Sequence, residues 1–184
     1  ILISEKPKDV AGSVIISTVE GTRPMLLEMQ ALVSPTSYGI PKRTATGVDY
    51  NRVGMLLAVL EKRVGLQIQN QDVYLNIVGG IKINEPSIDL GIVIATASSF
   101  RNVAVDETIA VTGEVGLTGE VRAVSFIEKR IAECKKLGFT KIVIPLAIPG
   151  IATIALFSTL AYWNDWFNAM LYIDYQNLVP LQHM

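Results

Sequence analysis

Two runs dense in β-branched and other apolar residues, Val14 to Val19 and Met25 to Val33, flank Glu20-Gly21-Thr22-Arg23. That pattern predicts a hairpin of two antiparallel strands. A third short strand is expected near Arg43-Thr44-Ala45. Asp49 or Asn51 then caps a helix through about Arg63, whose apolar face carries Val53, Leu56, Leu57 and Leu60. Val73 to Val78 reads as a buried strand closed by Gly79-Gly80. A second helix follows from about Glu85 to Ser99, with Ile88, Ile92, Ala95 and Ser99 spaced by three or four. Ile109 to Thr112 and Val121 to Ala123 predict further strands around a glycine-punctuated turn. Ser125 is placed to cap a third helix that runs to about Leu137 and stops at Gly138, and Lys141 to Ile144 is a final strand. Strands and helices mix without strict βαβ alternation after an initial hairpin, so the expected class is α+β, helices layered on a mixed sheet. The echo of Thr112-Gly113-Glu114-Val115 in Thr118-Gly119-Glu120-Val121 is too close-spaced for a solenoid and reads as a turn feature.

The pattern changes abruptly towards the C-terminus. No residue from Ile142 to Asn164 is charged, a length comparable to the ~20 residues that cross a bilayer. Pro145 and Pro149 interrupt it, because proline lacks the backbone donor and clashes with the preceding turn. A helix from about Gly150 to Trp163 remains, to be read as a buried C-terminal helix or as a membrane anchor. Charge follows the same division: all 16 Lys and Arg and 15 of the 17 Asp and Glu precede residue 146, so that part is near neutral, and the rest carries only Asp165 and Asp174. Domain boundaries are accordingly expected at 1–145 and 146–184.

A net charge of −1 argues against a uniformly basic nucleic-acid binder while leaving room for a local basic face. The single cysteine, Cys134, excludes an intramolecular disulfide, and no Cys/His spacing suits zinc. A buried thiol on a helix fits a reducing cytoplasm. The chain opens on Ile1 without the basic, apolar, small order of a signal peptide, which points to a fragment. No GxxxxGK[ST] loop occurs, so ATP hydrolysis by this chain alone is not expected.

The run Val78-Gly79-Gly80-Ile81-Lys82-Ile83-Asn84-Glu85-Pro86-Ser87-Ile88-Asp89-Leu90, followed by Thr112 to Arg122, resembles the C-terminal Lon-protease-like domain of bacterial RadA (Sms)-type DNA repair and recombination proteins. Glu5 to Ser13, the Glu20-Gly21-Thr22-Arg23-Pro24 turn and Arg43-Thr44-Ala45-Thr46-Gly47 fit the same domain, so the resemblance covers residues 1–145. It implies a Lon-protease-like fold of the ribosomal protein S5 domain 2 kind. It also implies a ring, expected to be a hexamer, that engages DNA without regard to sequence. A RecA-like ATPase and a zinc finger would lie upstream, so ATP and zinc are implied only for those absent parts.

Lon-type peptidases activate a serine with a lysine amine, which must lie within hydrogen-bond reach and be desolvated enough to act as a base. Ser87 falls where the resemblance puts that serine. By the same register Glu128 takes the lysine's place, and Lys129 is one residue late, turned by about 100° around the helix. The first reading is therefore a non-catalytic scaffold in which Ser87 opens a helix with Asn84 as its cap. The rival is an active serine peptidase using Ser87 with Lys129 or Lys82. His183, in the unrelated tail, is a weaker base candidate still.

Basic pairs stand at Lys42-Arg43, Lys62-Arg63, Lys129-Arg130 and Lys135-Lys136, with Arg52 in the first helix. Such pairs commonly decorate solvated surface, and phosphate contact needs only convergent cations. Lys42, Arg43 and Arg52 are the DNA-contact candidates. Beyond Pro145, the run Pro145 to Phe157 with Tyr162-Trp163-Asn164-Asp165-Trp166 resembles the membrane-spanning permease subunit of sugar-importing ABC transporters. One such helix has no pore, so this part implies a chimeric sequence and a membrane association only if the tail is genuine.

Overall fold

The computed structural model describes residues 9–37, 39–145 and 172–174. The hairpin forms as its pattern requires. Strand β1 (Ser13–Glu20) turns at Gly21, in the left-handed region, and returns as β2 (Arg23–Pro35) with Glu20 opposite Arg23. Strand β3 (Arg43–Thr46) lies parallel to β4 (Gln71–Ile77), and between them runs α1 (Tyr50–Val59), continued by a π-helical turn at Leu60–Val64. Asp49 caps α1, accepting the Arg52 N–H at 2.8 Å. A 3₁₀ turn (Pro86–Ile88) leads into α2 (Asp89–Arg101). Strand β5 (Ile109–Val111) precedes a small hairpin of β6 (Glu114–Val115) and β7 (Val121–Arg122), so the Thr-Gly-Glu-Val echo closes one turn. Helix α3 (Ile127–Lys136) then carries the chain to β8 (Lys141–Val143), and Tyr172–Asp174 add β9 antiparallel to β8.

Among the described residues the main sheet has the order β3-β4-β2-β1-β5-β8-β9, with both parallel and antiparallel neighbours. The α+β class with a mixed sheet is thus realised. The strand pleat sends alternate side chains to opposite faces, and each face has its own core. Val14, Ile16, Leu27, Met29, Val73, Leu75 and Ile77 meet Val53, Leu56 and Leu57 of α1 and Ile92 and Ala95 of α2. On the opposite face α3 brings Cys134, Ile127 and Ile131 onto Ile15, Leu26, Ala110 and Ile142.

Three local expectations are corrected. Ser125 does not cap α3: the cap position is Phe126, held at φ 59° with no side-chain cap bond, and the helix starts at Ile127. Asn84 does not cap the helix at Ser87 either, because the 3₁₀ turn places Glu85 at its own cap position and Ile88 at that of α2, neither with a side-chain cap bond. The strand at Val121 ends at Arg122. The helix expected over 150–163 and His183 lie outside the described residues, as does the permease-like stretch other than Tyr172–Asp174. No helix among the described residues is long and apolar enough to cross a membrane.

Helix α2 sits close on β1 because Gly91 lacks a side chain. A β-carbon there would stand 2.1 Å from Cγ2 of Ile16, which is fully buried. Gly91→Ala should destabilise the fold by about 1–3 kcal/mol through overpacking, although alanine is the better helix former by ~1 kcal/mol. A urea unfolding midpoint at or above that of the unaltered chain would contradict this packing.

Candidate functional site

The first run that carried the resemblance, Val78 to Leu90, leads from the end of β4 into the start of α2. Gly79 and Gly80, both at positive φ, turn the chain out of β4. The following segment is tied by the Ile83 N–H to the Gly47 carbonyl at 2.8 Å. Gly47 is required there, since a β-carbon would lie 2.7 Å from the Ile81 carbonyl oxygen. Ser87 is only 2% exposed. Its carbonyl accepts the Gly113 N–H at 2.8 Å, and the Leu90 N–H donates to the Gly113 carbonyl at 3.0 Å. The end of β5 therefore clamps the start of α2.

Arg130 of α3 is completely buried and reaches into this clamp. One terminal nitrogen donates to the Ser17 carbonyl at 2.7 Å and to Ser87 Oγ at 3.3 Å; Nε donates to the Ser125 carbonyl at 2.9 Å. The other terminal nitrogen pairs with the Glu85 carboxylate. Glu85 in turn accepts Thr18 Oγ1 at 2.7 Å and the Val19 N–H at 2.8 Å. Thr112 Oγ1 completes the cluster by donating to the Ser17 carbonyl at 3.1 Å. Burial works to raise the Glu85 pKa, but the donors from Thr18, Val19 and Ser87, together with Arg130, outweigh it and hold the carboxyl below its ordinary value.

A second ion pair flanks Ser87 from the other side. Asp89, fully buried in the first turn of α2, takes two bonds from the Arg52 guanidinium and accepts the Val115 N–H at 3.1 Å. Arg52 also reaches the Val115 carbonyl at 3.3 Å, joining α1 to the β6–β7 hairpin. The hydrogen bond to Asp89 is the main reason that the Arg52 pKa rises. Residues 85, 87 and 89 are thus fixed at alternate positions by arginines from two different helices.

These contacts redistribute the candidates named from sequence. The α3 side chain bonded to Ser87 is Arg130, not Glu128, which is exposed with its neighbour Lys129. Because α3 starts at Ile127, Ile127, Arg130, Ile131 and Cys134 form the inward stripe, and Glu128 lies about 200° from Arg130 around the axis. Lys129 stacks over the Phe126 ring at 5.1 Å, and Lys82 is exposed. An arginine stays protonated and cannot serve as the amine base.

Of the DNA-contact candidates, the two arginines have different intramolecular partners. Arg43 donates to the carbonyls of Gln71 and Ile68, bracing the loop before β4. Arg52 is committed to Asp89, beyond the other end of β3. Lys42 alone of the three is exposed. Beside the second ion pair a cavity of about 310 Å³ opens between Val48, Arg52, Ile83, Glu85, Pro86 and Ile88. Ser87 forms no part of its wall.

Comparison with known proteins places these features in a family. The model described as subunit ChlI of Mg-chelatase matches residues 39–148. The DNA repair protein RadA of Bacillus subtilis is 58% identical over 147 residues, covering 80% of this chain and 32% of the relative. Its counterpart in Halalkalibacterium halodurans is 55% identical over 145 residues, covering 79% and 32%. That of Streptococcus pneumoniae is 52% identical, covering 79% and 34%. The chain spans about a third of the length of the curated relatives it matches.

Glu85 sets the acid limit of the cluster. Its folded pKa lies below the ordinary 4.5, so the stability it contributes is present above that value and is lost as pH falls below it. Glu85→Gln should cost about 1–3 kcal/mol at neutral pH, less than a wholly buried pair, because 23% of the Glu85 side chain remains accessible. The gap between variant and unaltered chain should close as pH falls progressively below 4.5. Urea unfolding across that range checks this, and a gap that stays constant would contradict it.

Proposed function

Because this chain belongs to the family described as subunit ChlI of Mg-chelatase, and because its relatives at half identity or more are DNA repair proteins, we propose that it is a non-catalytic Lon-like module of a RadA-type repair and recombination factor. Its work is architectural: it supports assembly of a ring, a hexamer on this reading, and helps that ring engage DNA without reading sequence. ATP and zinc chemistry belong to the remaining two thirds of such a protein, in which a RecA-like ATPase stands upstream. The factor acts in the cytoplasm.

The observation that carries the non-catalytic reading is the hydrogen bond from Arg130 to Ser87 Oγ. A peptidase serine needs a neighbour that can take its proton, an accessible oxygen and donors facing the developing oxyanion. Here the neighbours are a permanent cation and the Glu85 carboxylate, which its donors hold below its ordinary pKa and so make a weak base; the hydroxyl is buried, and the nearby Gly113 N–H is spent on the Ser87 carbonyl. A buried serine that satisfies an arginine is a structural hydroxyl.

The test is chemical. A serine-directed phosphonate should leave Ser87 unlabelled, and the chain should not cleave unfolded casein. Ser87→Ala should change no activity and cost about 1 kcal/mol. Labelling of Ser87, or casein cleavage that vanishes in Ser87→Ala, would replace this reading with a serine peptidase.

A further inference from the structure

The cavity of about 310 Å³ lies where the starts of α1 and α2 approach each other. Its size is at the lower end of the ~300–1,000 Å³ typical of small-molecule sites, so it suits a small solute. Val48, Ile83, Ile88 and Ile92, all buried, give it an aliphatic wall. Among the described residues no aromatic side chain lines it, which leaves nothing for a base or a sugar ring to stack on.

The polar rim carries both signs of charge. Asp49 and Arg52 stand three residues apart at the start of α1, which puts them on one side of the helix with about 5–6 Å between their β-carbons. Asp49 accepts the Arg52 N–H on one oxygen and, among the described residues, has no cation paired with it. Arg52 places its Nε and one terminal nitrogen on Asp89, and its other terminal nitrogen has no partner among the described residues. Of its side chain, 32% remains accessible. Glu85, also in the wall, keeps its charge at neutral pH and is partly accessible. Asn84, exposed at the rim, adds an amide that both donates and accepts. A solute bearing only positive charge would be set against the guanidinium, and one bearing only negative charge against Asp49 and Glu85. A solute with an ammonium and a carboxylate on one carbon satisfies both signs.

We propose that this cavity binds a free aliphatic α-amino acid of the size of leucine. Its ammonium lies at Asp49 and Glu85, its carboxylate on the unpaired nitrogen of Arg52, and its side chain against Val48, Ile83, Ile88 and Ile92. The site is independent of the DNA-engagement reading. Occupation joins α1, which supplies Arg52, to the segment entering α2, which supplies Glu85 and Ile88, so the bound solute stabilises that joint as its concentration rises.

Isothermal titration calorimetry of the full chain at neutral pH tests it, with L-leucine, glycine, 3-methylbutylamine and 4-methylpentanoate as probes. L-Leucine should bind, and the others, which lack the side chain, the carboxylate or the ammonium, should each bind at least about tenfold more weakly. Asp49→Asn keeps an oxygen at the cap position, so it should hold the urea midpoint while weakening L-leucine binding at least about fivefold. Asn84→Trp, a bulky side chain at an exposed rim position, should block the cavity and weaken L-leucine at least about tenfold; it carries the test if Asp49→Asn fails to fold. An absence of saturable L-leucine binding overturns the proposal. So does 3-methylbutylamine or 4-methylpentanoate binding as tightly as L-leucine, which would make one charge sufficient. L-Leucine binding that is unchanged in either folded variant would place the ligand elsewhere and overturns it too.

Discussion

A guanidinium with no access to solvent must have its donors satisfied and its charge matched, and Arg130 meets both demands with four partners from three segments. It takes the Glu85 carboxylate from the loop after β4, the Ser17 carbonyl from β1, Ser87 Oγ from the start of α2 and the Ser125 carbonyl from the approach to α3. Removing the Glu85 carboxylate leaves the charge of a fully buried guanidinium unmatched, which costs more than the loss of a neutral partner such as the Ser87 hydroxyl. The cluster therefore specifies how α3, the central strands and the start of α2 sit together. The Arg52–Asp89 pair repeats the device on the other side of Ser87, joining α1 and the small hairpin to the same helix start.

This arrangement separates the fold from the chemistry of peptidases built on it. A lysine beside the serine could lose its proton when desolvated and act as a base. The arginine cannot, and on the proposed reading the same neighbourhood is a structural joint. Two of the three cations that sequence suggested for phosphate contact are drawn into similar joints: Arg43 braces carbonyls before β4, and Arg52 holds Asp89.

Much of the scaffold was legible because its signals are local. Strand alternation around Gly21, the Asp49 cap and the apolar spacing of α1 and α2 each depend on a few adjacent residues. The start of α3 was not, because Phe126 enters the helix in a left-handed conformation that non-glycine residues seldom adopt, whereas Ser125 has the ordinary chemistry of a cap. That shift mattered for the site. Arg130 looks like half of a solvated basic pair with Lys129, and Glu128 looks like the residue facing Ser87. The signal that could have corrected both was present: Ile127, Ile131 and Cys134 define the inward stripe of α3, and Arg130 lies on it at i+3 from Ile127 and i+4 before Cys134. Its partners could not be read the same way, since Ser17 and Glu85 are brought to it only by the folded sheet.

The central claim is that Arg130 and Glu85 act as one unit holding α3 to the sheet beside Ser87. A double-mutant cycle in urea at neutral pH, using Arg130→Met, Glu85→Gln and the pair together, measures that coupling directly. The account predicts that the pair is less damaging than the sum of the single changes by about 2–3 kcal/mol, because the second substitution removes a group that the first has already left unpaired. Additive losses, within about 0.5 kcal/mol, would mean that the two residues stabilise the fold independently and would contradict it.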